Sequence, residues 1–155
     1  MKKFVENNLG LKIKTPNGYK DFKGIAYMGD KLVYELSFTN KKTIKATDNH
    51  QFLTDKGLVE VKNLNVSDRI MRSDGRYTKL LNKKKYREIP VYDIIEADGN
   101  IVSYNGMFTH QCKFITDEET LINPLCLSRL KSYDPVFYTE QVRWYIEPMP
   151  NKAYL

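Results

Sequence analysis

Side chains able to carry out nucleophilic or acid–base chemistry are concentrated at two places in this sequence of 155 residues. One place is His50, and the other is the pair His110 and Gln111 followed by Cys112. Imidazole exchanges protons near neutral pH, and a cysteine thiolate is a nucleophile. Most isolated histidines are structural, so the residues around these two, the only histidines of the chain, decide the interpretation.

Both histidines stand in short motifs that contain further reactive or hydrogen-bonding side chains. His50 ends the run Thr47-Asp48-Asn49-His50, in which a hydroxyl and an amide precede the imidazole. The run Thr109-His110-Gln111-Cys112 places an imidazole, a carboxamide and a thiol on consecutive residues. Such side chains can protonate a leaving amine, polarise a carbonyl and accept an acyl group on sulfur.

Short strands separated by turns are predicted to position these motifs. Leu32 to Phe38 contains the Tyr and Phe residues that favour a pleated surface. The other predicted strands cover residues 11–14, 24–27, 43–47, 51–54, 58–61, 89–96, 101–103 and 107–109. Clusters of Gly, Asn, Asp, Lys or Pro predict turns at residues 15–18, 28–30, 39–42, 55–57, 98–100 and 105–106. Strands this short and this regularly spaced indicate an all-β domain.

Charge is distributed unevenly along the chain, whose net charge is +6. Residues 1–111 contain 20 Lys and Arg against 13 Asp and Glu, whereas residues 112–155 contain 5 against 6. This change indicates two segments of different origin. The stretch 68–87 is rich in Lys and Arg, and we predict it to be either a solvated surface loop or a docking surface for an acidic partner.

The 44 residues that follow Gln111 are too few to form a core of their own. Residues 116–131 could hold a helix around Leu121 to Leu130, interrupted by Pro124. Val142 to Ile146 is predicted to be a strand, because Val, Ile and aromatic residues favour strands. We therefore divide the chain into a domain of residues 1–111 and an attached segment of residues 112–155.

Composition argues against several other classes of protein. The first ten residues lack the apolar stretch of a signal peptide, and no apolar run approaches the ~20 residues that span a bilayer. Cys112 and Cys126 are the only cysteines, and they do not make a disulfide framework. We expect a reducing, cytoplasmic compartment, no membrane, no metal and no cofactor.

Four motifs in this order resemble those of inteins and the related Hint domains. Thr47 to His50 resembles the Thr-x-x-His of the family's block B. Val61 to Ile70 resembles a stretch common in these domains, with Ser67 where the family usually has Gly. Val91-Tyr92-Asp93-Ile94 resembles the start of block F, including its acidic residue. Thr109 to Cys112 resembles block G, with a penultimate His, a terminal amide residue and a +1 nucleophile.

This resemblance covers roughly residues 11–112 and implies the all-β horseshoe of the Hint fold. It also implies protein splicing, an autocatalytic, single-turnover reaction. Cys112 would be the second nucleophile, whose thiolate accepts the acyl group in a branched intermediate. Gln111 would cyclise through its side-chain amide and cleave the chain before Cys112. His110 would protonate the leaving amine or polarise the carbonyl.

The resemblance assigns the remaining roles to the upstream junction. His50, together with Thr47 and Asn49, would hold and protonate the upstream scissile amide. Asp93 would move protons between the two thiols. The alternative is that Asp93 has no catalytic role and is an acidic residue at a turn or at the end of a strand.

The sequence departs from the family's pattern at three points. The family usually ends in Asn, whereas Gln111 must close a six-membered ring, which we expect to be slower because one more bond rotation is frozen. The sequence leaves open whether this glutamine is native or introduced. Block F often carries a His where Gly99 and its neighbours stand, so His110 would carry more of the acid–base chemistry. Met1 to Gly10 contains neither Cys nor Ser, so the initiating nucleophile of block A is absent.

The third departure predicts a split intein. The Hint fold would then be incomplete until a short, acidic N-terminal intein fragment, carrying its own N-extein, joins this chain. The attached segment resembles the large terminase subunit of T4-like phages, between the packaging ATPase and the nuclease domain. Glu118 to Ile122 and Arg143 to Leu155 carry that resemblance. It implies a C-extein in a phage-infected host cell, where only the mature spliced host protein would meet nucleic acid.

Two alternatives stand beside splicing. The chain could be a fragment of a DNA-packaging subunit whose intein is inert, with the basic stretch touching nucleic acid. It could also be a Hint-like domain that only cleaves. Cys112 followed by host-like sequence argues against pure cleavage, which needs no receiving segment.

Overall fold

Strands dominate the computed structural model, which describes residues 4–95, 97–111, 125–126 and 140–146. In chain order the strands are β1 (Phe4–Glu6), β2 (Lys12–Thr15), β3 (Gly18–Asp21), β4 (Gly24–Phe38), β5 (Thr43–Thr47), β6 (Gln51–Thr54), β7 (Gly57–Glu60), β8 (Arg69–Met71), β9 (Tyr77–Ile95), β10 (Ile101–Tyr104), β11 (Met107–His110) and β12 (Leu125–Cys126). Helix α1 is Glu140–Ile146, and 3₁₀ turns cover Val61–Asn63 and Asp98–Asn100. The all-β prediction for the domain is confirmed.

Ten of these strands form one sheet that curls into a half-barrel. Their order is β10-β11-β6-β8-β9-β4-β1-β12, with β5 added to β4 and β7 added to β6. The strands β2 and β3 form a separate hairpin. Leu36, Ile44, Phe52, Ile70 and Val102 are fully buried inside the curl and form the centre of its core.

The long strands β4 and β9 form the axis of the sheet. They pair antiparallel from Gly24 opposite Ile95 to Phe38 opposite Leu80, with three register shifts. One shift lies between Tyr27 and Gly29, where Gly29 has a φ of 105° that only glycine adopts without strain. The prediction of a turn at 28–30 is therefore wrong, because a β-bulge lets one strand continue through it.

The prediction of a surface loop at 68–87 is also wrong in large part, because residues 77–87 lie in β9. Thr78 and Leu80 point into the core, while Lys79 between them is exposed. The basic residues thus cover the outer face of a paired strand. The sequence did not predict this part of the strand, because buried and exposed residues alternate clearly only over its first few positions.

The described residues of the predicted attached segment, 112–155, pack against residues 1–111. At Leu125–Cys126 a strand, paired parallel with β1, replaces the predicted helix, whose remaining residues lie outside the described ones. The prediction of a strand at 142–146 is wrong, because these residues belong to α1. Val142 and Tyr145, three residues apart on one helix face, are both buried in the core of the domain. Packing has overridden their strand propensity.

Candidate functional site

The turn between β5 and β6 holds the first motif in place. The backbone N–H of His50 donates to the carbonyl oxygen of Thr47 (3.2 Å), and Thr47 Oγ1 donates to Asn49 Oδ1 (2.9 Å). The carbonyl oxygen of His50 accepts a hydrogen bond from the N–H of Val61 (2.9 Å). The turn is therefore tied to itself and to the following 3₁₀ turn, which fixes the position of the imidazole.

Strands β11 and β9 bring the other chemical groups beside this turn. In the register of β11 with β6, His110 lies opposite Gln51, which directly follows His50. Asp93 lies on β9, opposite Ala26 of β4. The two histidines and the carboxylate thus reach one region from the β5–β6 turn and from two separate strands.

Five of the seven predicted site residues line one cleft: Thr47, Asn49, His50, Asp93 and His110. The other lining residues are Met28, Lys31, Ala46, Gln51, Val91, Tyr92, Tyr104 and Gln141. The walls therefore come from six strands and from α1. Two predicted site residues are not among the lining residues, since Gln111 is buried in the adjacent core and Cys112 lies outside the described residues.

Burial controls the protonation of His50. Its Nε2 is buried and has no hydrogen-bond partner among the described residues. The ring lies edge-on to those of Phe52 and Tyr104, with centroids 5.6 Å and 6.0 Å away. Desolvation lowers the pKa of His50, the carboxylate of Asp93 opposes this, and the charge of His110 lowers it further. Burial therefore favours the neutral form of the His50 imidazole, and His50 lines the cleft.

The carboxamide of Gln111 is held at both ends. Its Oε1 accepts hydrogen bonds from the backbone N–H of Ile94 and from the hydroxyl of Tyr145, both at 3.1 Å. Its Nε2 donates to Thr109 Oγ1 (2.9 Å), and its backbone N–H donates to the carbonyl oxygen of Asn100 (2.6 Å). These bonds fix one orientation of the amide next to the cleft.

Three residues around the site have no counterpart in the sequence predictions: Tyr104, Gln141 and Tyr145. The Tyr104 hydroxyl donates to the carbonyl oxygen of Lys45 (2.7 Å) and accepts from Gln141 Nε2 (3.1 Å). Burial raises the pKa of the Tyr104 hydroxyl far above its usual range. No signal in the sequence distinguishes these three residues. Tyr104 directly precedes the Asn105–Gly106 turn, where aromatic residues are common, and Gln141 and Tyr145 of α1 belong to no catalytic motif.

Metal and membrane sites are not evident in the part of the chain that the structure describes. Among those residues, no group of three or more His, Cys, Asp or Glu side chains is placed to hold a metal ion. No described helix is long and apolar enough to cross a membrane.

Comparison with known proteins finds its matches among solved structures. No protein-family model and no curated protein matches this sequence. A consensus engineered intein described as having an atypical split site is 28% identical, with a TM-score of 0.59 over 74% of this chain and 92% of that chain. The Ssp DnaB mini-intein variant M86 is 22% identical, with a TM-score of 0.62 over 73% and 82%. The gp41-1 intein is 18% identical, with a TM-score of 0.56 over 71% and 98%.

These similarities confirm the predicted fold class. The chain has the β horseshoe, the Hint fold, of the inteins that it matches. The likeness to inteins supports autocatalytic protein splicing as the general function.

Proposed function

We propose that this chain performs protein trans-splicing, with residues 1–111 as the C-terminal part of a split intein and residues 112–155 as its C-extein. The observation that carries the proposal is the cleft, which His50, Asp93 and His110 line together. The Nε2 of His50 is buried without a hydrogen-bond partner among the described residues, and this burial lowers the pKa of His50. These three side chains can donate and accept protons at the two ends of a segment that is to be removed.

The first step concerns the upstream junction. A nucleophile attacks the carbonyl carbon of the upstream peptide bond, the C–N bond breaks, and the nucleophile's proton ends on the released amine. The neutral His50 takes that proton from the nucleophile and passes it to the amine, while Thr47 and Asn49 hold the carbonyl. The 2.9 Å hydrogen bond between the side chains of Thr47 and Asn49 supports a shared role for them.

The second step transfers the acyl group. The Cys112 thiolate attacks the thioester carbonyl, the bond to the first sulfur breaks, and a branched intermediate forms. Asp93, which lines the cleft, carries the proton of the Cys112 thiol to the leaving sulfur.

The third step releases the intein. Gln111 Nε2 attacks the backbone carbonyl carbon of Gln111, and the C–N bond to Cys112 breaks. A six-membered imide forms on the intein, and the proton lost from Nε2 reaches the Cys112 amine with the help of His110. That amine then takes the acyl group from sulfur and forms a peptide bond. The imide end cannot react again, so each molecule turns over once.

The trans arrangement is supported by the composition of the cleft and by one similar structure. The described residues that line the cleft include no Cys or Ser that could start the reaction. The 28% identical intein is described as having an atypical split site. We propose a short, acidic N-terminal fragment with its N-extein as the partner, since residues 1–111 carry an excess of Lys and Arg. The host protein we propose is the terminase large subunit of a phage, in the cytoplasm of the infected cell.

The test is to mix this chain with the N-terminal intein fragment encoded upstream in the same genome, fused to a reporter protein. We expect a new species in which the reporter is joined to residues 112–155. The control is Cys112→Ala, which should yield no joined product. Cleavage before Cys112 without joining would instead support the cleavage-only alternative, and no reaction would support the inert one.

A further inference from the structure

Helix α1, which belongs to the segment beyond the proposed splice junction, is seated in the wall of the functional cleft. Val142 and Tyr145 are fully buried against the domain. The Tyr145 ring stacks on that of Tyr104, with centroids 4.7 Å apart and planes inclined by 27°, and Trp144 meets Tyr104 edge-on at 5.4 Å. The helix therefore covers apolar surface that the domain would otherwise expose.

Hydrogen bonds fix the position of α1 on β9 and β10. Gln141 Oε1 accepts from the backbone N–H of Tyr92 (2.7 Å), and Gln141 Nε2 donates to the Tyr104 hydroxyl (3.1 Å). The N–H of Asn105 donates to the carbonyl oxygen of Trp144 (3.1 Å). Gln141 also lines the cleft, so a segment that enters the cleft meets α1 directly.

The same helix acts on the carboxamide of Gln111. The Tyr145 hydroxyl donates a hydrogen bond to Gln111 Oε1, and so does the backbone N–H of Ile94. Donors on an amide oxygen stabilise the resonance form in which the nitrogen lone pair is delocalised into the C–N bond. The amide nitrogen becomes a weaker nucleophile. Gln111 Nε2 also donates a hydrogen bond to Thr109 Oγ1. This bond must break before Nε2 can attack the backbone carbonyl carbon of Gln111.

We propose that α1 is an intramolecular clamp, in which Tyr145 and Gln141 are positioning residues that restrain Gln111 and so prevent cleavage before Cys112 while no partner occupies the cleft. The inference rests on the proposed role of Gln111 in splicing. Entry of the partner fragment into the cleft displaces Gln141, α1 leaves its seat, and Gln111 Nε2 becomes able to cyclise. The clamp thus couples the irreversible last step to the presence of a partner.

The test uses the complete chain alone and the substitution Tyr145→Phe, which removes the hydroxyl and keeps the ring. We expect cleavage before Cys112 to be about fivefold faster, as the loss of one ordinary hydrogen bond to the ground state predicts. The control is Tyr19→Phe, an exposed tyrosine of β3 that is not among the residues lining the cleft, which should leave the rate unchanged. Equal rates in Tyr145→Phe and the wild type, including undetectable cleavage in both, would overturn the clamp.

A second readout separates the clamp from a merely structural role of Tyr145. In nuclear magnetic resonance, the Nε2 protons of Gln111 should exchange faster with solvent in Tyr145→Phe. The backbone amide of Gln111, which bonds to Asn100, should keep its protection. A parallel loss of protection at both places would mean that the fold has loosened, and would overturn the proposal.

The outcomes also separate this inference from the proposed function. If mixing with the N-terminal fragment ligates the reporter but Tyr145→Phe cleaves at the wild-type rate, only the clamp is wrong. If Tyr145→Phe cleaves faster but mixing never ligates the reporter, the clamp stands and trans-splicing is wrong.

Discussion

The side chains of Gln111 and Cys112 control different steps of the proposed reaction, so substitutions at the two residues should stop it at different stages. Gln111→Asn should resolve the branched intermediate faster, because it closes a five-membered ring with one fewer rotation to freeze. Gln111→Ala should accumulate the branch, and Cys112→Ala should prevent its formation. A time course on a denaturing gel shows the branch as a slowly migrating band. Spliced product at the original rate from Gln111→Ala would mean that the junction is placed wrongly.

The two histidines should affect different stages in the same assay. His110→Ala should slow resolution of the branch, by on the order of 10²-fold if it acts as a general acid, with little effect on branch formation. His50→Ala should slow branch formation instead. A slower first stage in His110→Ala, with resolution unchanged, would contradict the assignment of this residue to the downstream junction.

Burial of His50 makes the stability of the chain depend on pH. The pKa of His50 is lowered from its ordinary value of 6.5 in the folded state, so below that pH the unfolded chain binds a proton that the folded chain resists. Its contribution to stability is complete above pH 6.5 and is lost as the pH falls through the folded pKa. We expect urea unfolding to show a falling free energy from pH 7.5 to 5.5, and His50→Gln to flatten that fall. The same slope in His50→Gln as in the wild type would contradict this.

At the residue scale, the sequence predicted the groups with unusual chemistry and missed those that support them. Thr47, His50 and Asp93 were singled out because hydroxyl, imidazole and carboxylate groups at those spacings resemble known motifs. Tyr104 and Tyr145 stack on each other, and their hydroxyl groups bond to Lys45, Gln141 and Gln111. Their roles therefore depend on contacts between distant segments that no local pattern records.

At the scale of single elements, Lys83 shows that the basic stretch is not wholly a solvated surface. Its ammonium group donates to the carbonyl oxygens of Val61 (2.9 Å), Lys62 (3.3 Å) and Leu64 (2.8 Å), so that the β9 strand ties down the 3₁₀ turn behind the His50 motif. We expect Lys83→Ala to lose about 2 kcal/mol of unfolding free energy, as for hydrogen bonds to a charged group.

The matched control for this prediction is Lys85→Ala, on the same strand and exposed, which should change the free energy of unfolding by less than about 0.5 kcal/mol. Urea titrations of both variants make the comparison. Equal losses in the two variants would show that only the general charge of the stretch matters.

Elements whose pattern is local were predicted well, and elements set by tertiary packing were not. The hairpin turn at Asn105 and Gly106 is confirmed, with φ values of 48° and 87° that these residue types tolerate. The continuity of β4 and β9 depends on their pairing with each other across bulges. The helical state of α1 depends on the pocket into which Val142 and Tyr145 fit. Neither the pairing of β4 with β9 nor the pocket for α1 can be read from the sequence of one segment alone.

At the scale of the whole molecule, the order of the motifs was sufficient to predict the horseshoe, because each motif belongs to a fixed place in that fold. The proposed partner would have to find this molecule from solution, and its proposed acidic character makes a kinetic prediction. Opposite charges should raise the association rate at low salt. The rate should fall as salt rises past ~0.15 M, where charges are screened beyond about 8 Å.

Stopped-flow fluorescence of Trp144, the only tryptophan, can follow this association because it lies on α1 beside the cleft residue Tyr104. A rate that does not change with salt would show that the Lys and Arg residues of residues 1–111 do not guide the partner.

In the proposed reaction, this molecule removes its own residues 1–111 by cyclisation of Gln111. The most direct measurement is the intact mass of the fragment released after mixing with the N-terminal intein fragment. We expect a species of residues 1–111 that is lighter by one water than the free acid, as an imide at Gln111 requires. Release of residues 1–111 only as the free acid, from the first detectable time point, would show hydrolysis and contradict the account.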